Sequence, residues 1–303
     1  MNVTFGVCAD LHTEFIHDAP KRMEEFLNYC KRENVDFCVN LGDFCPPGEL
    51  NAEHKKEIFS KIKSFNIPFY HVLGNHDMDE NSKDNVLSFL EVNDAHTSFD
   101  FGGVHFVILD ACHFRTGNGY ESYDNGNYKY AHGDDVPFLP PSELEWLEKD
   151  LSAARYPAVV FSHQSLIESR SGIRNPEDFR NIIKKSPNGI IMAMCGHEHV
   201  DRAEFSDGVW YVCINSMSYY WAGENYQHET YGEKIEKLYP LLKMVFPYKD
   251  SVFAIVEVSD ESVSIKGKQS EIVGALPEDM NFKKRGFSER ISASIEDKIL
   301  NLK

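Results

Sequence analysis

Short apolar runs alternate with amphipathic runs over roughly the first 200 residues, and this alternation constrains the fold more than any other feature. The apolar runs are rich in Val, Ile and Phe and predict buried strands over Val3–Cys8, Val35–Asn40, Pro68–Leu73, Val104–Leu109, Ala158–Ser162 and Ile190–Cys195. The runs between them predict helices over Pro20–Arg32, Ala52–Phe65, Lys83–Phe89, Ser142–Leu151 and Pro176–Lys185. Strand–helix alternation is typical of an α/β architecture with parallel strands.

The pattern changes later in the chain, where strand-like runs follow one another with little helix between them. Strands are predicted over Val209–Asn215, Val252–Val258 and Val263–Lys268. The last two are separated by Ser259-Asp260-Glu261-Ser262, a segment typical of a hairpin turn. These runs predict a second, more antiparallel sheet packed on the first, and residues 288–302 predict a short terminal helix.

Two long insertions, at residues 115–140 and 218–250, interrupt this pattern and are rich in aromatic and polar residues. The tail after Gly274 is charged and begins like a loop. We therefore expect one domain over residues 1–270 that contains both insertions, followed by a C-terminal extension over residues 271–303. A chain of 303 residues is long enough to bury a large core.

Five short polar segments each follow a predicted strand and contain residue types that bind metal ions. They are Asp10-Leu11-His12, Gly42-Asp43, Gly74-Asn75-His76-Asp77, Ser162-His163-Gln164 and Gly196-His197-Glu198-His199. Ligands bind at the carboxyl ends of the strands in open α/β sheets, so these segments are expected to converge in space. Imidazole is the commonest metal ligand, and His197 and His199 present two rings to one side of a turn.

Each segment alone has an ordinary structural explanation. Asp10 could cap the next helix, Gly42-Asp43 could be a common turn, and His163 could be a hydrogen-bonded core histidine. The occurrence of all five segments at strand ends favours one shared metal site over five unrelated explanations.

The motifs resemble those of the calcineurin-like metallophosphoesterases. The family pattern is D-x-H, G-D-x-x-D or a variant, G-N-H-D/E, a histidine after an apolar strand, and G-H-x-H. This chain has D-L-H, G-D-F-C, G-N-H-D, F-S-H-Q and G-H-E-H. The resemblance covers roughly residues 1–215 and is greatest to the branch of cyclic-nucleotide-phosphodiesterase-like and nucleotide-diphosphatase-like enzymes. It implies a four-layer α/β/β/α sandwich of two mixed β-sheets flanked by helices, with a dinuclear metal site at the strand ends.

The resemblance also implies a role for each motif residue. The ligands of one metal ion would be Asp10, His12 and His199. The ligands of the other would be Asn75, His163 and His197. Asp43 would bridge both ions, His76 would face the leaving-group oxygen or the phosphate, and Asp77 would orient His76.

This ligand set suits the hydrolysis of phosphate esters. Two divalent ions about 3.5–4 Å apart can bridge a hydroxide, which is then the nucleophile, and clamp the phosphoryl oxygens. Mixed oxygen and nitrogen ligands suit Mn, Fe, Zn or Co. With the bridging hydroxide the site keeps a net charge of about +1, which suits a phosphodiester monoanion better than a phosphomonoester dianion. We expect hydrolysis of a phosphodiester or diphosphate bond in a nucleotide-like small molecule, with a phosphomonoesterase as the second hypothesis.

Composition argues against several further classes of function. The net charge of −17 argues against an extended interface with nucleic acid, so a nuclease is a weaker hypothesis. A non-catalytic scaffold on the same fold is also weaker, because such relatives typically lose metal ligands. No apolar run reaches about 18 residues, which argues against a membrane span. The seven cysteines include no C-x-x-C pair and predict buried thiols in a reducing compartment, hence a cytoplasmic protein, with a homo-oligomer left open.

The aromatic insertions are expected to wall the cleft beside the metal ions, because each follows a strand that ends at the same edge. Tyrosine and tryptophan suit stacking on a flat group such as a nucleobase. The expected substrate contacts are His113, Arg115, Tyr219, Tyr220 and Trp221. Equally, the aromatic side chains could pack a local core or a dimer contact.

Overall fold

Two six-stranded mixed β-sheets lie at the centre of the computed structural model, which describes residues 1–44, 51–131, 135–169, 171–282 and 291–302. The strands in chain order are β1 Asn2–Cys8, β2 Phe37–Asn40, β3 Phe69–His71, β4 Thr97–Phe101, β5 Val104–Ile108, β6 His113–Thr116, β7 Gly119–Ser122, β8 Ala158–Phe161, β9 Ile190–Cys195, β10 Arg202–Ser206, β11 Val209–Cys213, β12 Tyr219–Trp221, β13 Val245–Pro247, β14 Ala254–Ser259, β15 Ser262–Gly267 and β16 Lys298–Asn301. The pairs β6–β7 and β12–β13 form two small separate sheets. The first lies at the start of the insertion at residues 115–140, and the second lies in the insertion at residues 218–250.

The first sheet has the strand order β16-β15-β14-β1-β2-β3. The strands β1, β2 and β3 run parallel, whereas β14 lies antiparallel to β1 with Val3 opposite Val258. The prediction that the late strands build a second sheet is wrong for β14 and β15, which extend the first sheet instead. An apolar run indicates that a strand is buried, but it does not specify which strand it pairs with.

The second sheet has the strand order β10-β11-β9-β8-β5-β4. Its four central strands run parallel, and the edge strands β4 and β10 are antiparallel to their neighbours. Neither edge strand is predicted from the sequence. Both are largely unburied, with Phe101 and Phe205 exposed, and so lack the continuous apolar run that marks a central strand.

Helices cover the outer face of each sheet. They are α1 Ala19–Arg32, α2 Ala52–Phe65, α3 Lys83–Leu90, α4 Pro141–Ala153, α5 Pro176–Ile183 and α6 Glu233–Leu238. Phe26, Ile58 and Val86 of the first three helices pack on the first sheet. Leu147 of α4 and Phe179 of α5 pack on the second sheet. Within the described ranges, no helix is both long and apolar enough to cross a membrane.

The largest apolar core lies between the two sheets. The ring of Phe5 in β1 contacts the rings of Phe106 and Phe161 in the second sheet, with centroids 5.8 and 5.6 Å away. Helices, sheet, sheet and helices therefore form four layers. The predicted α/β/β/α sandwich is confirmed.

The end of the chain returns to the first sheet as the edge strand β16, where Leu300 lies opposite Val263. The helix predicted over residues 288–302 is therefore wrong in its described part, and residues 288–290 lie outside the described residues. Pairing with β15 decides the local conformation here, because tertiary contacts override the weak helical pattern of a short segment.

Candidate metal centre

The five polar segments lie together at one edge of the sandwich. Asp10, Asp43 and Asn75 follow β1, β2 and β3, while His163 and His197 follow β8 and β9 of the other sheet. These strands run parallel within each sheet, so their carboxyl ends meet at one edge. The backbone N–H of His197 donates to Asp10 Oδ2 at 3.1 Å and joins the loops of the two sheets.

Two groups of side chains bring potential ligand atoms to common points. The first group is Asp10, His12 and His199, and the second is Asp43, His163 and His197. Within each group the ligand atoms lie within 4.8 Å of one another. Asp10 Oδ1 lies 3.4 Å from His199 Nε2 and 3.9 Å from His12 Nε2, distances that are possible for ligands about 2.0–2.2 Å from one ion.

Asp43 lies between the two groups. Its Oδ2 is 3.1 Å from His163 Nε2 and 3.8 Å from His12 Nε2. Asn75 adds a neutral oxygen to the second group, since its Oδ1 is 3.2 Å from the same His163 nitrogen. One carboxylate thus faces histidines of both groups, as a bridging ligand would.

Three of the histidines are held through the ring nitrogen that faces away from the site. His163 Nδ1 donates to the carbonyl of Leu41 at 2.7 Å, and His199 Nδ1 donates to the carbonyl of Tyr219 at 2.8 Å. His12 Nδ1 bonds to the carboxylate of Glu14 at 2.9 Å. These bonds leave the Nε2 lone pairs directed into the site, which is how metal-binding histidines are commonly oriented.

The main chain is left-handed at most of these positions. The positive φ angles are 53° at Asp10, 52° at His12, 50° at Asp43, 65° at His197 and 50° at His199. Such a conformation is unusual outside glycine and costs of order 1–3 kcal/mol where it is strained. Its concentration directly after the strands turns each side chain toward the shared edge.

Two motif glycines allow the loops to approach one another closely. A Cβ atom on Gly74 would lie 2.2 Å from the backbone nitrogen of Asp43, and one on Gly42 would lie 2.4 Å from His163 Nδ1. Gly42 also has a φ of 101°, a conformation that side chains disfavour. Any larger residue at either position would displace Asp43 or His163.

The donor atoms fit a pair of divalent ions. The Nε2 atom of His163 faces the oxygens of Asp43 and Asn75, so electron-rich atoms converge on a point that favours positive charge. Burial alone would lower the pKa of His163, but the carboxylates of Asp43 and Asp10 outweigh it and raise the pKa to about 10. Oxygen and imidazole donors without thiolate suit Mn, Fe, Zn or Co.

His76 lies beside the two groups, and Asp79 orients it. His76 Nδ1 bonds to Asp79 Oδ2 at 2.9 Å, while its ring lines the cleft. Burial alone would lower the pKa of His76, but Asp43 and Asp79 raise it to about 9. The prediction that Asp77 orients His76 is therefore wrong. The 3₁₀ turn His76–Met78 aligns His76 with the residue three positions later, not with its neighbour.

Asp77 instead fixes the backbone beneath the site. Its carboxylate accepts hydrogen bonds from the backbone N–H groups of Gly74 at 2.8 Å, Phe44 at 3.0 Å and Asp43 at 3.1 Å. It therefore ties the loop after β3 to the loop after β2, and so sets the position of Asp43.

An open cleft of about 670 Å³ lies over the two groups. One wall is aromatic and contains Tyr219, Tyr220, Trp221, Tyr226 and Phe282. Tyr219 and Tyr220 are only 1% and 9% exposed, whereas Trp221 is 43% exposed. The two tyrosines thus pack mainly into the protein, as expected for a local aromatic core, and Trp221 presents its ring to the cleft.

His113 and Arg115 do not line this cleft, which corrects their prediction as substrate contacts. His113 Nε2 lies 3.8 Å from the carboxylate of Asp110. Arg115 pairs with Asp135 at 2.8 Å and lies over the ring of Phe138. Both residues belong to the hairpin β6–β7.

Three functional neighbours of the site are absent from the sequence prediction. Glu14 orients His12, Asp79 orients His76, and Tyr128 of the first insertion bonds to both Asp79 and Asn75. Glu14 and Asp79 lie two and three residues beyond motif histidines, a spacing that could have indicated them. Tyr128 is distant in sequence from every motif, so no local pattern indicates it.

Comparisons with known proteins agree with this geometry. The model of the calcineurin-like phosphoesterase family matches residues 3–201. A manganese-dependent ADP-ribose/CDP-alcohol diphosphatase of Arabidopsis thaliana is 32% identical over 254 residues, covering 65% of this chain and 79% of that protein.

Two solved structures share the fold at low sequence identity. A dimetal phosphatase from Danio rerio has a TM-score of 0.66 at 15% identity, over 99% of both chains. GAP50, the anchor in the inner membrane complex of Plasmodium, has a TM-score of 0.56 at 15% identity, over 100% of this chain and 89% of that chain. The family match spans the strands and loops that carry the site. The chain therefore belongs to the calcineurin-like phosphoesterase family and is a metal-dependent hydrolase of phosphate esters.

Proposed function

We propose that the chain uses two divalent metal ions to hydrolyse the diphosphate bond of a nucleotide-like small molecule. The observation that carries the proposal is a pair of three-residue ligand groups under a cleft with an aromatic wall, in which Asp43 of the second group also faces His12 of the first. When bound, such ions offset the charge of the phosphoryl oxygens and lower the pKa of water toward neutrality.

In this proposal the ligands divide as the two groups do. One ion would be held by Asp10, His12 and His199. The other would be held by His163, His197 and Asn75. Asp43 would bind both ions, because its Oδ2 faces His163 of one group and His12 of the other. The backbone of His197 keeps Asp10 in place, and the carbonyls of Leu41 and Tyr219 fix two imidazoles, so the protein sets the geometry before the substrate arrives.

His76 acts on the substrate rather than on the ions. Its Nδ1 is bonded to Asp79, which leaves Nε2 to face the cleft and to donate a proton or hydrogen bond to the leaving-group oxygen. Its side chain is 34% exposed, while that of the proposed ligand His163 is fully buried. This exposure supports a role in contact with the substrate.

The aromatic wall supports a substrate with a flat group. Trp221 presents a partly exposed ring, and Phe282 of the predicted C-terminal extension completes the wall beside Tyr226. Stacking on aromatic side chains is a common way to hold a nucleobase. The Arabidopsis relative is named for nucleotide-containing diphosphates and for manganese, which supports both the substrate class and Mn as the first ion to test.

Substrate comparison in the presence of Mn²⁺ tests the proposal. ADP-ribose and a CDP-alcohol should have a higher kcat/KM than p-nitrophenyl phosphate, and Fe, Zn and Co should be compared with Mn at equal concentration. A preference for p-nitrophenyl phosphate would overturn the proposal in favour of a phosphomonoesterase. Preferred cleavage of single-stranded DNA would favour a nuclease, and absence of all hydrolysis would favour a scaffold.

We also propose that the protein works in a reducing compartment such as the cytoplasm. The six cysteines in the described ranges are all free thiols, and all are buried. Buried unpaired cysteines are usual where disulfides do not form. Cell fractionation with detection of the tagged full chain tests this, and recovery in a secreted fraction would contradict it.

A further inference from the structure

The hydroxyl of Tyr128 lies between a proposed metal ligand and the proposed proton donor. It accepts a hydrogen bond from Asn75 Nδ2 at 3.3 Å and donates one to Asp79 Oδ1. The other oxygen of Asp79 bonds to His76 Nδ1 at 2.9 Å. A continuous chain of hydrogen bonds therefore runs from Asn75 through Tyr128 and Asp79 to His76.

We propose that Tyr128 is a positioning residue that couples the metal ligand Asn75 to the substrate-facing His76. This inference rests on the proposed roles of Asn75 and His76. It assigns a specific task to the first aromatic insertion, which reaches the site through this tyrosine and not through His113 or Arg115.

The direction of each bond explains why a hydroxyl is needed. The amide of Asn75 has one donor end and one acceptor end, so donation from Nδ2 to Tyr128 keeps Oδ1 directed at His163 Nε2, 3.2 Å away. The same hydroxyl gives its proton to Asp79, which leaves the other carboxylate oxygen for His76. Phenylalanine would keep the ring and lose both bonds.

The insertion holds Tyr128 firmly in this place. Its ring stacks on the ring of Tyr123 at 4.3 Å with an interplanar angle of 20°, and Tyr123 is 2% exposed. The backbone N–H of Gly126 donates to the carbonyl of Met78 at 2.8 Å, which fastens the insertion to the loop that carries His76. Lys129 adds a charge contact to Asp79 at 3.0 Å.

A leaving-group comparison tests the link to His76. The p-nitrophenyl and phenyl esters of thymidine 5′-monophosphate contain the same nucleotide and differ in the leaving group. The p-nitrophenolate ion is a weak base and leaves without a proton. The unsubstituted phenolate ion is a stronger base, so its departure depends on a proton donor. At saturating Mn²⁺, Tyr128→Phe should lower kcat for the phenyl ester about tenfold and change it less than about twofold for the p-nitrophenyl ester. In a His76→Ala background, Tyr128→Phe should cause no further loss for the phenyl ester, because coupled residues are not additive.

Two further variants keep the test decisive if Tyr128→Phe folds poorly. Asp79→Asn keeps the shape of the side chain and should reproduce the loss for the phenyl ester. Tyr130→Phe is the matched control, because Tyr130 lies in the same 3₁₀ turn but is 82% exposed, and it should behave as the wild type. Equal losses for both esters in Tyr128→Phe, or an additive double variant, would show that Tyr128 only packs the loop.

Metal binding gives a second measurement that does not depend on turnover. Titration of the metal-free full chain with Mn²⁺, followed by electron paramagnetic resonance, should show about tenfold weaker binding in Tyr128→Phe and unchanged binding in Asp79→Asn and Tyr130→Phe. If the wild type hydrolyses neither the two esters nor ADP-ribose, the proposed function fails, while this titration still decides whether Tyr128 positions Asn75. Unchanged Mn²⁺ affinity in Tyr128→Phe would overturn the link to Asn75.

Discussion

Replacement of Trp221 by alanine should weaken binding of a nucleotide substrate and spare a small diester. The indole is 43% exposed at the cleft and meets the ring of Phe15 at nearly right angles, with ring centroids 5.9 Å apart. Its neighbours Tyr219 and Tyr220 are almost fully buried. Trp221 is therefore the residue of this run whose ring surface is free to stack on a base.

The size of the effect follows from stacking energy. Stacking of one base on an aromatic side chain is worth about 1–3 kcal/mol. Because 1.4 kcal/mol is a factor of ten, KM for the nucleotide substrate should rise about 5- to 150-fold. A partly exposed side chain contributes little to the core, so the free energy of unfolding should fall by less than about 1 kcal/mol.

Steady-state kinetics with ADP-ribose and bis-p-nitrophenyl phosphate at saturating Mn²⁺ measures this difference. Phe205→Ala is the matched control, because Phe205 is a 56% exposed aromatic residue on β10 that packs on Trp210 and is not part of the cleft wall. A similar rise in KM for both substrates in Trp221→Ala, or the same effect in the control, would refute the stacking argument.

Three other substitutions test separate parts of the molecule. Asp43→Asn should weaken both metal sites, since Asp43 faces both ligand groups, and elemental analysis should show less bound Mn; full occupancy with unchanged activity would contradict the bridging role. His76→Ala should lower kcat by about 10²–10⁴-fold while the metal content holds, and loss of metal with normal activity per ion would reverse its assignment. Hydrogen bonds from His105 to Asp150 and Asp100 raise the pKa of His105 in the folded protein. The protonated ring therefore stabilises the folded state fully below the pKa of the unfolded chain, which is about 6.5, and this contribution is lost as the pH rises through the pKa of the folded state. His105→Gln should therefore lower the free energy of urea unfolding more at about pH 6 than at about pH 9, and an equal loss at both would argue against this ion pair.

The central strands could be predicted because burial on both faces leaves a continuous apolar run, as in Ile190–Cys195. The convergence of Asp10, Asp43 and Asn75 could also be predicted, because they follow parallel strands of one sheet and the carboxyl ends of such strands share an edge. Edge strands such as β10 carry no such run, and the partner of β14 is decided by the whole sheet. These features depend on contacts between distant segments, which local patterns do not contain.

In the site, too, some features follow from local sequence patterns and others depend on how the chain folds. Residue types and their positions after strands indicated the ligand groups. The partner of His76 is Asp79 and not the predicted Asp77, because a 3₁₀ turn of three residues follows the strand. The contact of Tyr128 with Asn75 depends on how an insertion folds back over more than fifty residues of chain. No periodic pattern of apolar residues in the sequence predicts the 3₁₀ turn or the fold of the insertion that brings Tyr128 to Asn75.

The left-handed main chain at the ligand positions narrows the substitutions that evolution or an engineer can make there. Asp, Asn and His are several-fold enriched at positive φ among residues other than glycine, and the five proposed ligands with positive φ are all Asp or His. Exchange for Glu or Cys would keep a donor atom but would place a less favoured residue in a conformation that costs L-residues about 1–2 kcal/mol. In the proposed metal site the shape of the loops therefore restricts which donor residues can replace the present ones, and a redesign for a different metal has to begin with the main chain.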